Sequence, residues 1–241
     1  MGKSETRTET ARVARTPKKA SVPARPARRN TAAAKAETPY HHGALREALL
    51  QAAERVLERD GLSGLTLRAV AREAGVSHAA PTHHFGDLTG LLSELAAVGF
   101  RQFNAAMASS CDAATTQLSR ALARPKAYVA YAQAHPGMYG IMFRTERLDY
   151  SRPSLHEAAE ASFAGLANAI GMMRQEQISE DSLTLNQGAA IARAWSMVHG
   201  FTMLLLDGRL EDILGRLPEG TTAEQLLEAM LTAPITAKLP A

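Results

Sequence analysis

The chain has 241 residues, of which 46% are hydrophobic and 21% are charged, and its formal net charge is +3. This length allows one or two domains with a buried core, and the presence of one cysteine, Cys111, excludes a disulfide within the chain. No continuous apolar run approaches the roughly 20 residues of a membrane span, and the sequence starts without the apolar segment of a secretory signal, so we expect a cytoplasmic protein with no membrane partner.

Residues 1–39 differ in charge from the rest of the chain. They contain ten Lys or Arg and three Glu, a net charge of +7, which leaves −4 for the remainder. Large apolar side chains are nearly absent and prolines recur, so this segment cannot bury enough surface to offset the entropy cost of ordering it. We therefore predict a disordered basic tail that serves either as a solubilising leader or as an arm that binds DNA phosphates or reaches into a minor groove.

The segment after the tail is predicted to begin with an amphipathic helix. Its apolar residues recur at steps of four and three, which places them on one helix face: Leu45, Leu49, Ala52 and Val56. Gly61 predicts the end of this helix. Farther along, Asp87 is predicted to cap a long leucine-rich helix that starts after Phe85.

Residues 66–85 predict two short helices joined by a tight turn. Thr66 is expected to cap the first helix. Gly75 can adopt a positive φ and end it, and Ser77 is expected to cap the second helix. That second helix carries small and hydrogen-bonding side chains, which is typical of a helix that lies in the major groove of DNA. Pro81 lacks an N–H and predicts that this helix is loosened in its first turn or starts late.

Beyond residue 110 the pattern stays helical, and prolines and glycines mark the predicted helix ends. Pro125 is predicted to open a helix that runs to about 135, and Pro136 to break it before a short apolar run. Pro153 is predicted to open a helix to about 177. An acidic link then leads to the most apolar helix, 185–206, and a last amphipathic helix is expected over 221–231. No stretch alternates as a strand would, so the predicted fold class is all-α.

The helix-turn-helix and its flanks resemble the TetR family of transcriptional regulators. The resemblance covers about residues 43–103, and its shared positions are the apolar stripe of the first helix, Gly61, Gly64, Thr66, Arg68, Ala71, residues 74–77, His84 and Phe85. It implies a sequence-specific DNA-binding regulator, most often a ligand-responsive repressor that acts as a homodimer on a near-palindromic operator. The alternative is a DNA-binding regulator or architectural protein with no small-molecule effector.

The same resemblance implies an architecture and a set of DNA contacts. The architecture is a three-helix helix-turn-helix DNA-binding domain over 40–103, followed by a helical-bundle ligand-binding and dimerisation domain over 104–241. The expected DNA-contacting residues lie on or beside the two short helices: Thr66, Arg68, Ser77, His78, Ala79, Ala80, Thr82, His83 and His84. Of these, His78, Thr82 and His83 are expected to reach base edges, and Ala79 or Ala80 to touch a thymine methyl group.

Two positions depart from the family pattern. The family usually has Tyr where this chain has Thr82, and Lys where it has Leu88, and both family residues commonly lie against phosphate. Thr66 keeps the position that family members use for a backbone phosphate. We therefore expect double-stranded DNA as the partner, with fewer phosphate contacts from the folded domain than is usual in the family.

The second part of the chain more weakly resembles the ligand-binding domain type named for its Trp, His and Gly. The matching segments are 128–132, 135–139, Phe143, Trp195 and 199–200. The resemblance implies dimerisation through the last long helices and a pocket for a small effector, which is expected to be apolar because no charged residue stands out in these helices. The candidate lining residues are Met138, Tyr139, Met142, Phe143, Phe163, Met172, Trp195 and His199. Each of them can equally be an ordinary core residue.

Sequence patterns for catalysis or metal binding are weak. The paired histidines His83 and His84 are neighbours, which point about 100° apart on a helix and rarely chelate one ion. His156-Glu157 begins like a zinc-protease motif, but residue 160 is Glu rather than a second His. There is no nucleophile elbow or phosphate-binding loop, so we expect neither an enzyme, nor a metal site, nor a cofactor.

Overall fold

The computed structural model describes residues 41–112, 116–179 and 181–233, and the prediction for the 1–39 tail lies outside them. Over the described ranges the regular elements are helices, with one isolated bridge between Ser179 and Ser182, so the all-α prediction is confirmed. The helices are α1 His41–Gly64, α2 Leu67–Glu73, α3 Ala79–Phe85, α4 Leu88–Asp112, α5 Gln117–Ala134, α6 Pro136–Met142, α7 Pro153–Arg174, α8 Leu185–Leu206, α9 Glu211–Leu214 and α10 Ala223–Thr232, with a 3-10 turn at Thr145–Arg147.

The predicted boundaries of the first four helices are mostly confirmed. Gly61 adopts a φ of 68° and breaks the last turn of α1, and Gly75 adopts a φ of 68° in the turn between α2 and α3. The Thr66 hydroxyl accepts a hydrogen bond from the Ala69 N–H at 3.1 Å, so it caps α2. Asp87 caps α4 in the same way through the Gly90 N–H at 2.8 Å.

The start of α3 differs from the prediction for Ser77. The residue before α3 is His78, which is already helical and makes no side-chain cap. Ser77 contributes its carbonyl, which accepts the Ala80 N–H at 3.0 Å, rather than its hydroxyl. The late start predicted from Pro81 is confirmed. Pro81 is the third residue of α3, where the missing N–H would have no partner within the helix in any case.

The prediction that Pro125 opens a helix is wrong. α5 begins at Gln117, and Pro125 lies inside it. Thr116 and Ser119 form a reciprocal cap, with the Ser119 N–H 3.0 Å from the Thr116 hydroxyl, and this cap starts the helix earlier. A proline there leaves the carbonyl four residues earlier, that of Ala121, without its helical donor, and Ala121 is exposed to water.

One hydrophobic cluster joins the helix-turn-helix to the helices α5, α6 and α7 that follow α4. Buried residues of α1 to α4 pack in it with residues of α5, α6 and α7, and Phe103 and Met107 both belong to it. The long helix α4 therefore supplies core residues to the helix-turn-helix and to the C-terminal helices alike. Two smaller clusters lie around Phe201 and around Ile191.

Helix α8 is less covered than its composition suggests. It has 22 residues, and in the described part of the chain it is the helix long and apolar enough to pass for a membrane span. The sequence predicts no membrane span, because no continuous apolar run is long enough. Arg193 and His199 interrupt this helix, and it qualifies only by its mean hydropathy. Only 22% of its apolar stretch is buried, so much of this surface is not covered by the other helices of residues 41–112, 116–179 and 181–233.

Candidate nucleic-acid interface and aromatic cluster

Helix α3 has one anchored side and one exposed side. Pro81 and Phe85 are buried, and Phe85 retains only 1% of its exposure. His78, Thr82 and His83 are exposed to solvent. The helix therefore presents hydrogen-bonding side chains outward while its apolar side chains fix it to the core, which is the arrangement needed to read base edges.

The other predicted DNA-contacting residues divide into exposed and partly covered positions. Thr66, Arg68, Ser77 and Ala79 are exposed. Ala80 packs against the hydrophobic core, which leaves Ala79 as the better placed of the two alanines for a thymine methyl group.

Two further residues, at the end of α3 and at the start of α4, are partly covered. The His84 ring is half-buried between the rings of His83, at 5.4 Å, and Phe85, at 6.2 Å. Leu88 packs against the core and offers no polar group at the position where the family usually has Lys.

Ion pairs between α1 and α2 neutralise the acidic residues near the helix-turn-helix. The Glu73 carboxylate accepts hydrogen bonds from Arg55 and Arg59, both at 2.9 Å, and these bonds lower its pKa. Asp60 pairs with Arg59, which lowers the pKa of Asp60 as well. Both acids are thus paired with arginines, while Arg68 on α2 is exposed to solvent.

The C-terminal helices bring two tyrosines and a histidine into one hydrogen-bonded group. The hydroxyls of Tyr128 and Tyr139 lie 2.9 and 2.8 Å from His199 Nδ1, and the Tyr139 hydroxyl donates to that of Tyr128 at 3.1 Å. The Phe143 ring centroid lies 4.8 Å from that of His199, and the Trp195 centroid lies 6.1 Å from it. These five side chains are called the aromatic cluster below.

Burial keeps the polar members of the aromatic cluster neutral. Desolvation lowers the pKa of His199 below its ordinary value, and it raises the pKa of Tyr128 and of Tyr139. The unprotonated Nδ1 of a neutral imidazole can accept a hydrogen bond from the Tyr128 hydroxyl, while the Tyr139 hydroxyl donates to the Tyr128 oxygen. The cluster thus offers uncharged hydrogen-bonding groups within an apolar wall.

The predicted effector-lining residues do not form one group. Met138 and Met142 are fully buried in the main core, where their sulfur atoms lie close to Gly99. Phe163 packs in the separate cluster around Ile191, and Met172 is 76% exposed. Helical spacing alone does not tell which face of a long helix meets which neighbour. The predicted lining therefore combined residues that lie apart in the structure.

A groove lies along α5, and its lining does not include the five side chains of the aromatic cluster. It has a volume of about 390 Å³, which is within the range of small-molecule sites. Its walls come from the end of α4, from α5 and from α10, and include Lys126, Gln133 and Leu227. Lys126 pairs with Glu224 and Glu228, both at 3.0 Å, and these bonds raise its pKa. Sequence reasoning missed this groove because α10 carries no distinctive motif.

The pKa of His199 leads to a prediction for stability. Because the folded-state pKa is below about 6.5, the unfolded chain binds the proton first as the pH falls. The contribution of His199 to stability is therefore complete above about pH 6.5 and is lost as the pH falls toward the folded-state pKa, by at most about 1.4 kcal/mol per pH unit. His199→Asn, which does not titrate, is expected to show a flatter decline in the free energy of unfolding than the wild type, measured by urea denaturation at several pH values. Equal declines in the two proteins would contradict this account of His199.

Comparisons with known proteins agree with this geometry. The sequence model for "Bacterial regulatory proteins, tetR family" matches residues 49–95, and that for "Tetracyclin repressor-like, C-terminal domain" matches residues 119–233. An uncharacterized HTH-type transcriptional regulator of Mycobacterium tuberculosis is 26% identical over 170 residues, which are 70% of this chain and 73% of the relative. The subtype named for Trp, His and Gly stays a prediction.

Two solved structures are similar to this chain. A protein with unknown function from Rhodococcus sp. RHA1 is 33% identical with a TM-score of 0.64, and the match covers 81% of this chain and 95% of that one. A putative tetR family transcription regulator from Shewanella sp. PV-4 has a TM-score of 0.54 at 18% identity, over 78% and 95% of the two chains. The second similarity shows a shared fold.

Proposed function

Since the chain belongs to the TetR family of bacterial regulatory proteins, we propose that it is a cytoplasmic, sequence-specific DNA-binding regulator rather than an enzyme. Its α3 enters the major groove of an operator. The observation that carries the proposal is the two-sided character of α3. Phe85 and Pro81 anchor it, while His78, Thr82 and His83 face solvent with hydrogen-bonding groups.

A homodimer is supported by an uncovered face on α8. Five exposed residues of this helix are small or apolar and follow one another at steps of three, four or seven, which places them on one side of the helix. They are Leu185, Ala189, Ala192, Ser196 and Met203. Leu185, the first residue of α8, is 89% exposed and Met203 is 40% exposed, so this face carries apolar surface that a partner could cover. We call this set the α8 outer face.

Helix α7 carries a second uncovered face beside it. Ala161, Asn168 and Met172 are exposed at steps of seven and four, and α7 contacts α8. Small side chains on both helices allow a second copy of the chain to approach closely and form a four-helix interface. A two-fold dimer then presents two copies of α3 to successive major grooves, about 34–36 Å apart.

Control by a small effector is supported by the aromatic cluster. An uncharged or weakly polar aromatic molecule suits a wall of Phe143 and Trp195 with neutral hydrogen-bonding groups from Tyr139 and His199. A regulator without an effector is the second candidate, because the two tyrosines and His199 already satisfy one another. A small molecule that releases the operator would distinguish the two candidates.

The proposed function is tested by selecting bound DNA from a random pool with the full-length chain. The expected product is an inverted repeat whose half-site centres lie about 10 base pairs, or a multiple of that spacing, apart. Retention of DNA with no common sequence would contradict sequence-specific recognition. Recovery of a single half-site without its inverted copy would contradict the symmetric dimer.

A further inference from the structure

We propose that Arg152, which follows the 3-10 turn, is a positioning residue for DNA recognition by α3. This proposal rests on the proposed function, because it assumes that α3 reads DNA. It goes beyond the predicted DNA-contacting residues, since Arg152 belongs to the C-terminal region and does not lie on the helix-turn-helix. The helix that contacts the bases is thus held in place from outside the DNA-binding domain.

The guanidinium of Arg152 closes the C-terminal end of α3. Its Nη2 donates a hydrogen bond to the Phe85 carbonyl oxygen at 3.0 Å. Phe85 is the last residue of α3, and the carbonyls of a last helical turn have no donor within the helix. An arginine at this end both satisfies a carbonyl and places positive charge where a helix end favours it.

A second set of contacts holds Arg152 itself in position. Arg152 Nη1 lies 3.6 Å from Glu94 Oε1, and its Nε, which is buried, lies 3.5 Å from Asp149 Oδ2 at ion-pair rather than hydrogen-bond geometry. Glu94 is only 8% exposed and also pairs with Arg46 of α1 and with the Ser154 hydroxyl at 2.8 Å. Helices α1, α4 and α7 therefore meet at one carboxylate, and Arg152 joins that carboxylate to the end of α3.

The space around this contact is closed. Any side chain at Gly90 would collide with the Phe85 carbonyl oxygen and with Arg152 Nη2. Glycine at position 90 therefore allows α4, the end of α3 and Arg152 to approach one another closely. The Asp149 N–H also donates to the Ser93 hydroxyl at 2.8 Å, which ties the loop before α7 to α4 next to Gly90.

The consequence is a physical link between the C-terminal region and the recognition helix. The segment that carries Arg152 begins directly after α6, whose Tyr139 belongs to the aromatic cluster. The hydrogen bond from Arg152 to the end of α3 can form only while that segment stays against α4. Loss of the Arg152 contact is thus expected to let α3 tilt, which weakens base contacts more than it weakens contacts with the DNA backbone.

The test compares affinities of the full-length chain for two duplexes of equal length, the selected operator and a scrambled sequence. Arg152→Ala is expected to lower operator affinity about tenfold, the effect of one charge-assisted hydrogen bond, and to leave affinity for the scrambled duplex within about twofold. Arg152→Lys keeps the charge but lacks the rigid fork that reaches Phe85 and Glu94 together, so an intermediate ratio is expected. Arg147→Ala removes the same charge from an exposed position of the same loop and should leave the ratio unchanged.

The two affinities separate a positioning role from a merely structural one. A variant that is partly unfolded loses affinity for both duplexes by the same factor, and that result for Arg152→Ala would overturn the proposal. If Arg152→Ala keeps the wild-type ratio of operator affinity to scrambled-duplex affinity, the proposal is also overturned. If Arg152→Ala does not fold, the same result in Arg152→Lys overturns it. A wild-type chain that binds both duplexes equally contradicts the proposed function itself and this role with it. A wild-type chain that discriminates, with variants that discriminate equally well, contradicts only the role of Arg152.

Discussion

Replacing Ala192 and Met203 by glutamate in the same chain is expected to give a monomer and to weaken operator binding by about a hundredfold or more. Both side chains lie on the α8 outer face and are exposed in the single chain. Two charges there cost a monomer little, whereas a dimer interface would have to bury four charges without partners. The loss in affinity follows because a monomer binds only one half-site. In a dimer, binding of the first half-site holds the second copy of α3 at a high effective concentration near the other half-site.

Sedimentation gives the oligomeric state and a gel shift gives the affinity. The control variant carries glutamate at Ala105 and Ala108, two exposed positions of α4. It adds the same charge elsewhere and is expected to remain dimeric and to bind the operator normally. A dimer in the Ala192→Glu, Met203→Glu variant would show that the α8 outer face is not the interface.

The sequence was sufficient for the fold class and for the local geometry of the helix-turn-helix. Each of these features depends on residues near in sequence. Gly75 forms the turn through its own backbone freedom, and Thr66 and Asp87 cap helices through residues three positions later. Local chemistry of this kind can be read without knowing what packs against it.

Features that depend on residues far apart in sequence could not be predicted. The Glu94 carboxylate meets Arg46 and Arg152, which lie 48 and 58 positions away, and no motif marks any of the three. The groove beside α5 needs α10, which returns to the bundle about a hundred residues later. Such contacts follow from how the helices cross.

The predicted effector residues show the same limit within single helices. The flexible, apolar side chain of Met172 is of the type that lines ligand pockets, yet it lies exposed on the outer side of α7. A residue pattern identifies an apolar face, but it does not tell whether that face meets the core, a pocket or a second chain. The prediction for Pro125 was wrong for a different, local reason, since the cap formed by Thr116 and Ser119 starts α5 before Pro125.

The second large effect is expected at the recognition helix. His78→Ala combined with His83→Ala removes two exposed hydrogen-bonding side chains from α3. Each lost base contact costs about 1–3 kcal/mol of discrimination, and a dimer loses each contact twice. Operator affinity is therefore expected to fall by a factor on the order of a hundred or more. Neither side chain is part of the core, so the thermal unfolding midpoint should stay near that of the wild type.

The most direct measurement of the central claim is the ratio of affinities for the selected operator and a scrambled duplex in this double variant. His156→Ala, at an exposed position of α7, is the matched control and should keep the wild-type ratio. If α3 reads base edges, the double variant loses most of its preference for the operator while its affinity for scrambled DNA changes by less than about twofold. A double variant that keeps the wild-type ratio contradicts the assignment of α3 as the helix that recognises DNA.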